Sequence, residues 1–217
     1  MADLGNALKT IGEFSMWPNP RQRISDIERK LENKDITQLK SLLNDEDIGD
    51  RTIRAALEVK QLAGQINVFI HAVGILISLP HILKPDERIL YLSLGAGNTG
   101  RKFDLETNKR VAEFTFIQWR GGSESIRQNG VFVDLFNLVE CETIKKRCLY
   151  VVDKKYPIQF FNKRRKIRSV LSKNLAISER FFDKYGDKYQ VVAQYYNDVK
   201  HLVEIIDLKD VVPVFSG

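Results

Sequence analysis

"SLGAGNTGRKFDLETNKRVAEFTFIQW", residues 93–119, admits two readings that lead to different folds. Gly95, Gly97 and Gly100 spell G-x-G-x-x-G after the apolar run "ILYLSL", the usual start of a dinucleotide-binding loop. Such a loop needs a helix opening at its third glycine, because the helix N-terminal amides hold the pyrophosphate. Downstream of Gly100 stand "KFDLET" and "RVAEFTFIQW", two stretches that alternate apolar and polar residues around Asn108-Lys109, a two-residue hairpin turn. The glycines therefore read as a turn between strands.

A turn at Asn108-Lys109 fixes the register. Thr107 faces Arg110, Leu105 faces Ala112, Asp104 faces Glu113 and Lys102 faces Thr115. Phe103, Leu105, Ala112, Phe114 and Phe116 then form one apolar face, and Lys102, Asp104, Glu106, Glu113 and Thr115 form the other. Directly opposed carboxylates destabilise a sheet unless a proton, a cationic side chain or a divalent cation compensates them. Two readings of the Asp104/Glu113 pair stand at this point: a solvated face neutralised by Lys102 and Arg110, or a cation site.

Around the hairpin the pattern is mixed. Asp35 caps a short helix in "DITQLKSLL", and "DRTIRAALEVKQLAGQINVFIHAVGILISLP" reads as a long, largely buried helix stopped by Pro80. After the hairpin, Gly121-Gly122 and Ser123 lead into the helix "ESIRQNGVFVDLFNLVE". The run "RCLYVV" has the continuous apolarity of a strand buried on both faces. Helical stretches up to Gly186, a strand "YQVVAQYY" and a final helix "NDVKHLVEII" are expected to finish a mixed α/β chain. A helical appendage is expected over 1–50 and the α/β domain over 51–217.

Composition narrows the function classes. The 217 residues carry a net charge of +6, which favours a polyanionic partner. Cys141 and Cys148 have no second pair or neighbouring histidine to complete a zinc set, and read as buried thiols of a cytoplasmic protein. Residues 61–83 contain no Asp, Glu, Lys or Arg, yet their Gln, Asn, His, Ser and Pro residues favour a packed helix over a membrane span. His71 on that helix reads as a hydrogen-bonded core residue. No nucleophile elbow or P-loop lysine appears, so serine hydrolase and nucleotide triphosphatase readings have no support.

The order helix, three-strand meander, helix, strand, with Asp104 on the second strand and Glu113 opening an acid-x-Lys position on the third, resembles the PD-(D/E)XK restriction-endonuclease-like superfamily. The resemblance covers roughly residues 51–152. It implies an α/β restriction-endonuclease-like core with N-terminal helices and additional C-terminal α/β elements. It further implies hydrolysis of DNA phosphodiesters with Mg²⁺ or Mn²⁺, in defence or repair. By the same resemblance Asp104 and Glu113 are metal ligands, Glu58 on the long helix a further one, and Gln128 a polar residue facing the site. The lysine position is occupied by Thr115, in "EFT". A hydroxyl cannot supply the charge of a lysine, so either Lys102 reaches the site from across the hairpin or the domain is catalytically silent.

Between Lys154 and Lys173 the chain is most basic. Lys163, Arg164, Arg165, Lys166 and Arg168, with Tyr156, Phe160 and Phe161 nearby, are the candidate contacts to a DNA backbone. The plainer reading is a solvated helix face above buried Ile167, Val170 and Leu171. The partners expected are DNA and a larger protein assembly or a second copy of the chain, with no membrane. Trp119 is expected in the core.

Overall fold

The computed structural model describes residues 3–15, 20–95, 103–116, 119 and 124–216. Lys102, Gly97, Gly100 and the Gly121-Gly122-Ser123 turn lie outside them. The chain divides into two compact units, 1–67 and 68–217.

The first unit is helical: α1 (Leu4–Ser15), α2 (Pro20–Leu31), α3 (Ile36–Asp45) and the first part of α4 (Asp50–Ile82). Asp35 caps α3 as expected, accepting from the Gln38 N–H at 2.8 Å while the Gln38 side chain accepts from the Asp35 N–H at 3.2 Å. Glu46 holds Arg23 and Lys30 of α2.

The second unit is an α/β structure on a five-stranded mixed sheet. β1 (Ile89–Leu92), β2 (Leu105–Thr107) and β3 (Arg110–Thr115) form an antiparallel meander. α5 (Ser125–Val139) then crosses to β4 (Lys146–Val151), parallel to β3, and β5 (Glu204–Asp207) lies parallel to β4. The connection between β4 and β5 contains α6 (Lys155–Phe161), α7 (Ile167–Leu171), α8 (Leu175–Tyr185) and α9 (Val192–Val199). After β5 come α10 (Leu208–Val211) and a single 3₁₀ turn, Pro213–Phe215. Among the described residues the element after β1 is a strand, as the hairpin reading requires.

Each face of the sheet has its own core. Val111, Leu149 and Val151 pack under α5 to α9, with Phe132, Phe136, Phe181 and Tyr195 at the centre. Trp119 joins that core, its ring centroid 5.8 Å from that of Phe160. On the other face Leu105, Ala112, Phe114 and Tyr150 pack under Ile75 and Leu79 of α4 and Leu208 of α10. α4 approaches so closely that a Cβ on Gly74 would lie 2.6 Å from the Phe116 ring. It also runs past Pro80 to Ile82.

Two expectations are overturned at the C-terminal end. "YQVVAQYY" is not a strand. Val192, Tyr195, Tyr196 and Val199 have i, i+3, i+4, i+7 spacing, and α9 inserts Val192, Tyr195 and Val199 into the core. Gln194 fixes its start by accepting from the N–H groups of Gln190 (2.8 Å) and Val191 (3.1 Å). "NDVKHLVEII" is not a helix either: its second half becomes β5, pairing Leu149 with Ile205 and Tyr150 with Ile206. The β-branched residues beside an existing strand edge decide the outcome. The basic segment also differs from a helix face, since 162–166 form a loop and α7 starts only at Ile167.

Arg110 does not neutralise Asp104 and Glu113. It shares a face with Ala112, and its Nε and Nη2 each donate to Glu87 at 2.6 Å, while Nη1 donates to the Tyr150 hydroxyl. Thr107 donates to the same Glu87 carboxylate at 2.6 Å. Burial alone would raise the Glu87 pKa, but these bonds outweigh it and hold the carboxylate below its ordinary range. Removing one member of such a cluster strands a buried charge. Arg110→Met is therefore expected to lower unfolding stability by about 3 kcal/mol in urea titrations.

Candidate active site

The β2–β3 turn is fixed by Thr107, whose hydroxyl accepts from the N–H groups of Lys109 (3.0 Å) and Arg110 (2.9 Å). The ladder then pairs Leu105 with Ala112 and Glu106 with Val111, the register read from the sequence. Beyond Leu105 the strand pairing ends. Phe103 turns to the α5 side and packs against that core instead of sharing a face with Leu105. Asp104 replaces the missing ladder contact with its side chain, Oδ2 accepting from the Phe114 N–H at 2.9 Å.

Four further side chains converge around Asp104. Its other oxygen lies 3.2 Å from Nε2 of His71, which α4 brings in edge-on to Phe116, ring centroids 5.9 Å apart. Glu113 points to the α5 side and is 9% exposed. Asp134, from the middle of α5, accepts from the Thr115 hydroxyl at 3.1 Å. The group sits where β3 ends, at the carboxyl edge of the parallel strands, the edge where open α/β sheets commonly bind ligands.

Burial dominates the electrostatics. It lifts the Glu113 carboxyl to about 11, helped by the charges of Asp134 and Asp104 and by a hydrogen bond to the Asp104 side chain. Asp134 is pushed up to about 7 by burial and then by Asp104, against the opposing bond from Thr115. His71 is raised by its bond to Asp104, more than burial lowers it. Near neutral pH the group therefore holds protons that isolated carboxylates would release.

The residues expected in the site fall into distinct places. Asp104 and Glu113 are together. Thr115 is adjacent but committed to Asp134. Gln128 is buried on α5 with no bond to the acids, its Oε1 lacking a partner. Glu58 is exposed and belongs to the first unit. Among the described residues no lysine or arginine forms an ion pair with Asp104, Glu113 or Asp134, and the basic partner is His71. Lys163, Arg164, Lys166 and Arg168 are exposed and Arg165 is half-buried. Arg168 lies 3.3 Å from Asp187 and 4.1 Å above the Phe182 ring. Phe160 and Phe161 are core residues, out of reach of a base, and Tyr156 is half-buried against the same core.

His71 and Asp134 are the two members that sequence reasoning does not place in the site. Asp134 has a signal, an acid flanked by Val133 and Leu135 and three residues after buried Val131. His71 is one of only two ionisable residues in the uncharged stretch 61–83.

The donor chemistry suits a hard cation. Mg²⁺ takes oxygen ligands and is held by one or two carboxylates, so Asp104 and Glu113 suffice in kind. The repulsion that now raises both Glu113 and Asp134 is a cost that a cation would offset. Among the described residues no group of three His, Cys, Asp or Glu is arranged to hold a metal ion. No protein family model, curated protein or solved structure matches the chain.

The acids make stability depend on pH in a definite direction. Between its unfolded and folded pKa values, a raised carboxyl keeps in the native state a proton that the unfolded chain has lost, so stability falls as pH rises. His71 acts in the same sense, its contribution complete below its ordinary pKa and lost as the pH rises to its raised one. Thermal melts of the metal-free protein should thus show a higher Tm near pH 5 than near pH 8. Glu113→Gln, which mimics the protonated acid, should raise Tm at pH 8 by roughly 3 °C or more and flatten the profile. A wild-type profile rising with pH would contradict the assigned protonation.

Proposed function

We propose that the second unit is a restriction-endonuclease-like domain that engages DNA and hydrolyses phosphodiester bonds with Mg²⁺ or Mn²⁺. The observation that supports it most is the pairing of Asp104 with Glu113 across the end of the hairpin, in the order α4, β1–β2–β3, α5, β4. A cation bound there would supply an activated water and neutralise charge on the phosphate. The chain's own residues have separate tasks. Asp104 is oriented by the Phe114 N–H and by His71, and Glu113 holds or releases a proton according to whether positive charge is present. The exposed cations of the 162–166 loop and Arg168 hold the DNA backbone.

A specific observation favours the rival reading of a silent domain that binds DNA or a partner protein. Thr115, at the lysine position, gives its hydroxyl proton to a bond with Asp134 and brings no positive charge to the acids.

Plasmid nicking in Mg²⁺ and Mn²⁺ separates the two. The enzyme reading expects wild-type cleavage and a loss of about 100-fold or more in Glu113→Gln, since a charge acting on the transition state is removed. Binding without cleavage of duplex, branched or single-stranded DNA establishes the silent domain. Replacing Arg164, Arg165 and Lys166 together by Ala should weaken DNA binding and reduce the slope of log K against log salt by roughly two to three. An unchanged slope removes this loop from the interface.

A further inference from the structure

We infer that a cleft at the amino-terminal ends of β4 and β5 binds a phosphomonoester carried by a small molecule. The cleft lies wholly within the second unit and has a volume of about 410 Å³. Its lining includes Lys145, Lys146, Arg147, Lys200, His201 and Glu204. The acids are elsewhere: Lys146 opens β4, whereas Thr115, beside Asp134, pairs with Val151 at the far end of that strand. From Arg147 to Val151 the strand rises roughly 13 Å. A ligand in the cleft would therefore not occupy the proposed cleavage site.

The fold concentrates positive charge there. Lys145, Lys146 and Arg147 enter β4 one after another, and the turn after α9 brings Lys200 and His201 beside them from a distant part of the chain. Two of the four cations are neutralised by carboxylates, Lys145 by Glu106 at 2.7 Å and Lys146 by Glu204. Arg147 and Lys200 have only neutral partners among the described residues. Lys200 Nζ donates to the Asn197 side-chain oxygen at 3.2 Å. Arg147 Nη2 donates to the carbonyls of Cys141 at 2.8 Å and Thr143 at 3.4 Å, which fixes the guanidinium without cancelling its charge, and its Nε has no hydrogen-bond partner. A guanidinium held in this way is a preorganised donor for phosphate oxygens.

The plainer role for Lys200 is to offset the carbonyl groups at the end of α9, which closes at Val199. A helix carboxyl end carries about half a negative charge, so most of the charge on Arg147 and Lys200 remains in place. A phosphomonoester dianion matches that remainder better than a phosphodiester, which carries one charge. The volume exceeds that of a phosphate group and falls in the range of small-molecule sites, roughly 300–1,000 Å³, so there is room for the group that carries the phosphate. Leu202, in the same lining, offers that group an apolar contact.

The test is calorimetric titration of the full chain, at fixed ionic strength, with inorganic phosphate and with ribose 5-phosphate, in wild type, Arg147→Gln and Lys200→Gln. Wild type should bind each ligand at one site per chain. Each substitution should weaken both by about 10-fold or more, because a charged donor to the phosphate is lost. Lys200→Gln decides the matter if Arg147→Gln does not fold, since Lys200 is exposed and its replacement leaves the core intact. Absence of saturable binding in wild type overturns the inference, and so does binding that Lys200→Gln leaves unchanged. A site that takes phosphate but excludes ribose 5-phosphate overturns the small-molecule carrier. Displacement of ribose 5-phosphate by a DNA duplex without terminal phosphates, with a matching loss of duplex affinity in Lys200→Gln, overturns the inference in favour of the DNA backbone.

Discussion

Strand β3 is paired on both edges, antiparallel to β2 and parallel to β4, so its side chains have only the two faces of the sheet to occupy. The two-residue period of a strand then assigns them without choice. Ala112 and Phe114 enter the core under α4, and Val111, Glu113 and Thr115 face α5. Glu113 cannot reach open water from that position, and Thr115 meets Asp134. The unusual electrostatics of the site come from ordinary strand geometry applied to an acidic residue.

Asp104 joins the two faces. It lies just where the β2 ladder stops, so its carboxylate is free to take the backbone donor of Phe114 that a regular strand would have satisfied with a carbonyl. The same side chain touches His71 from α4 and Glu113, whose face is that of α5. A contact between the helix below the sheet and the acids above it thus passes through one residue. Gly74 is part of this arrangement, because a side chain there would meet the Phe116 ring, the ring that His71 packs against edge-on, and force one of the two to shift.

The hairpin is legible in the sequence because its two signals agree: a two-residue turn and alternation on both sides of it. That agreement predicts Leu105 opposite Ala112, and it fails at Phe103, where the ladder that transmits register has ended. Parity also explains why Arg110 leaves the acids alone. It stands an odd number of residues from Glu113 and so faces away from it. The segment 189–196 misleads because Val and Tyr favour strands by composition, while the spacing of Val192, Tyr195 and Val199 is the better guide; at 203–206 the β-branched composition is the better one. His71 and Asp134 are 33 and 30 residues from Asp104 in the chain. Only the packing of α4 and α5 on opposite faces brings them to it, and no local pattern encodes that.

The Arg110–Glu87 cluster lies at the opposite end of β3 from the acids. Cohesion and chemistry are therefore held at separate ends of one short strand. A protein arranged in this way can lose, gain or exchange the groups at its acid end while the hairpin stays anchored. Substitutions among Glu113, Thr115 and Asp134 would therefore change the electrostatics of the acid end without loosening the Arg110–Glu87 anchor.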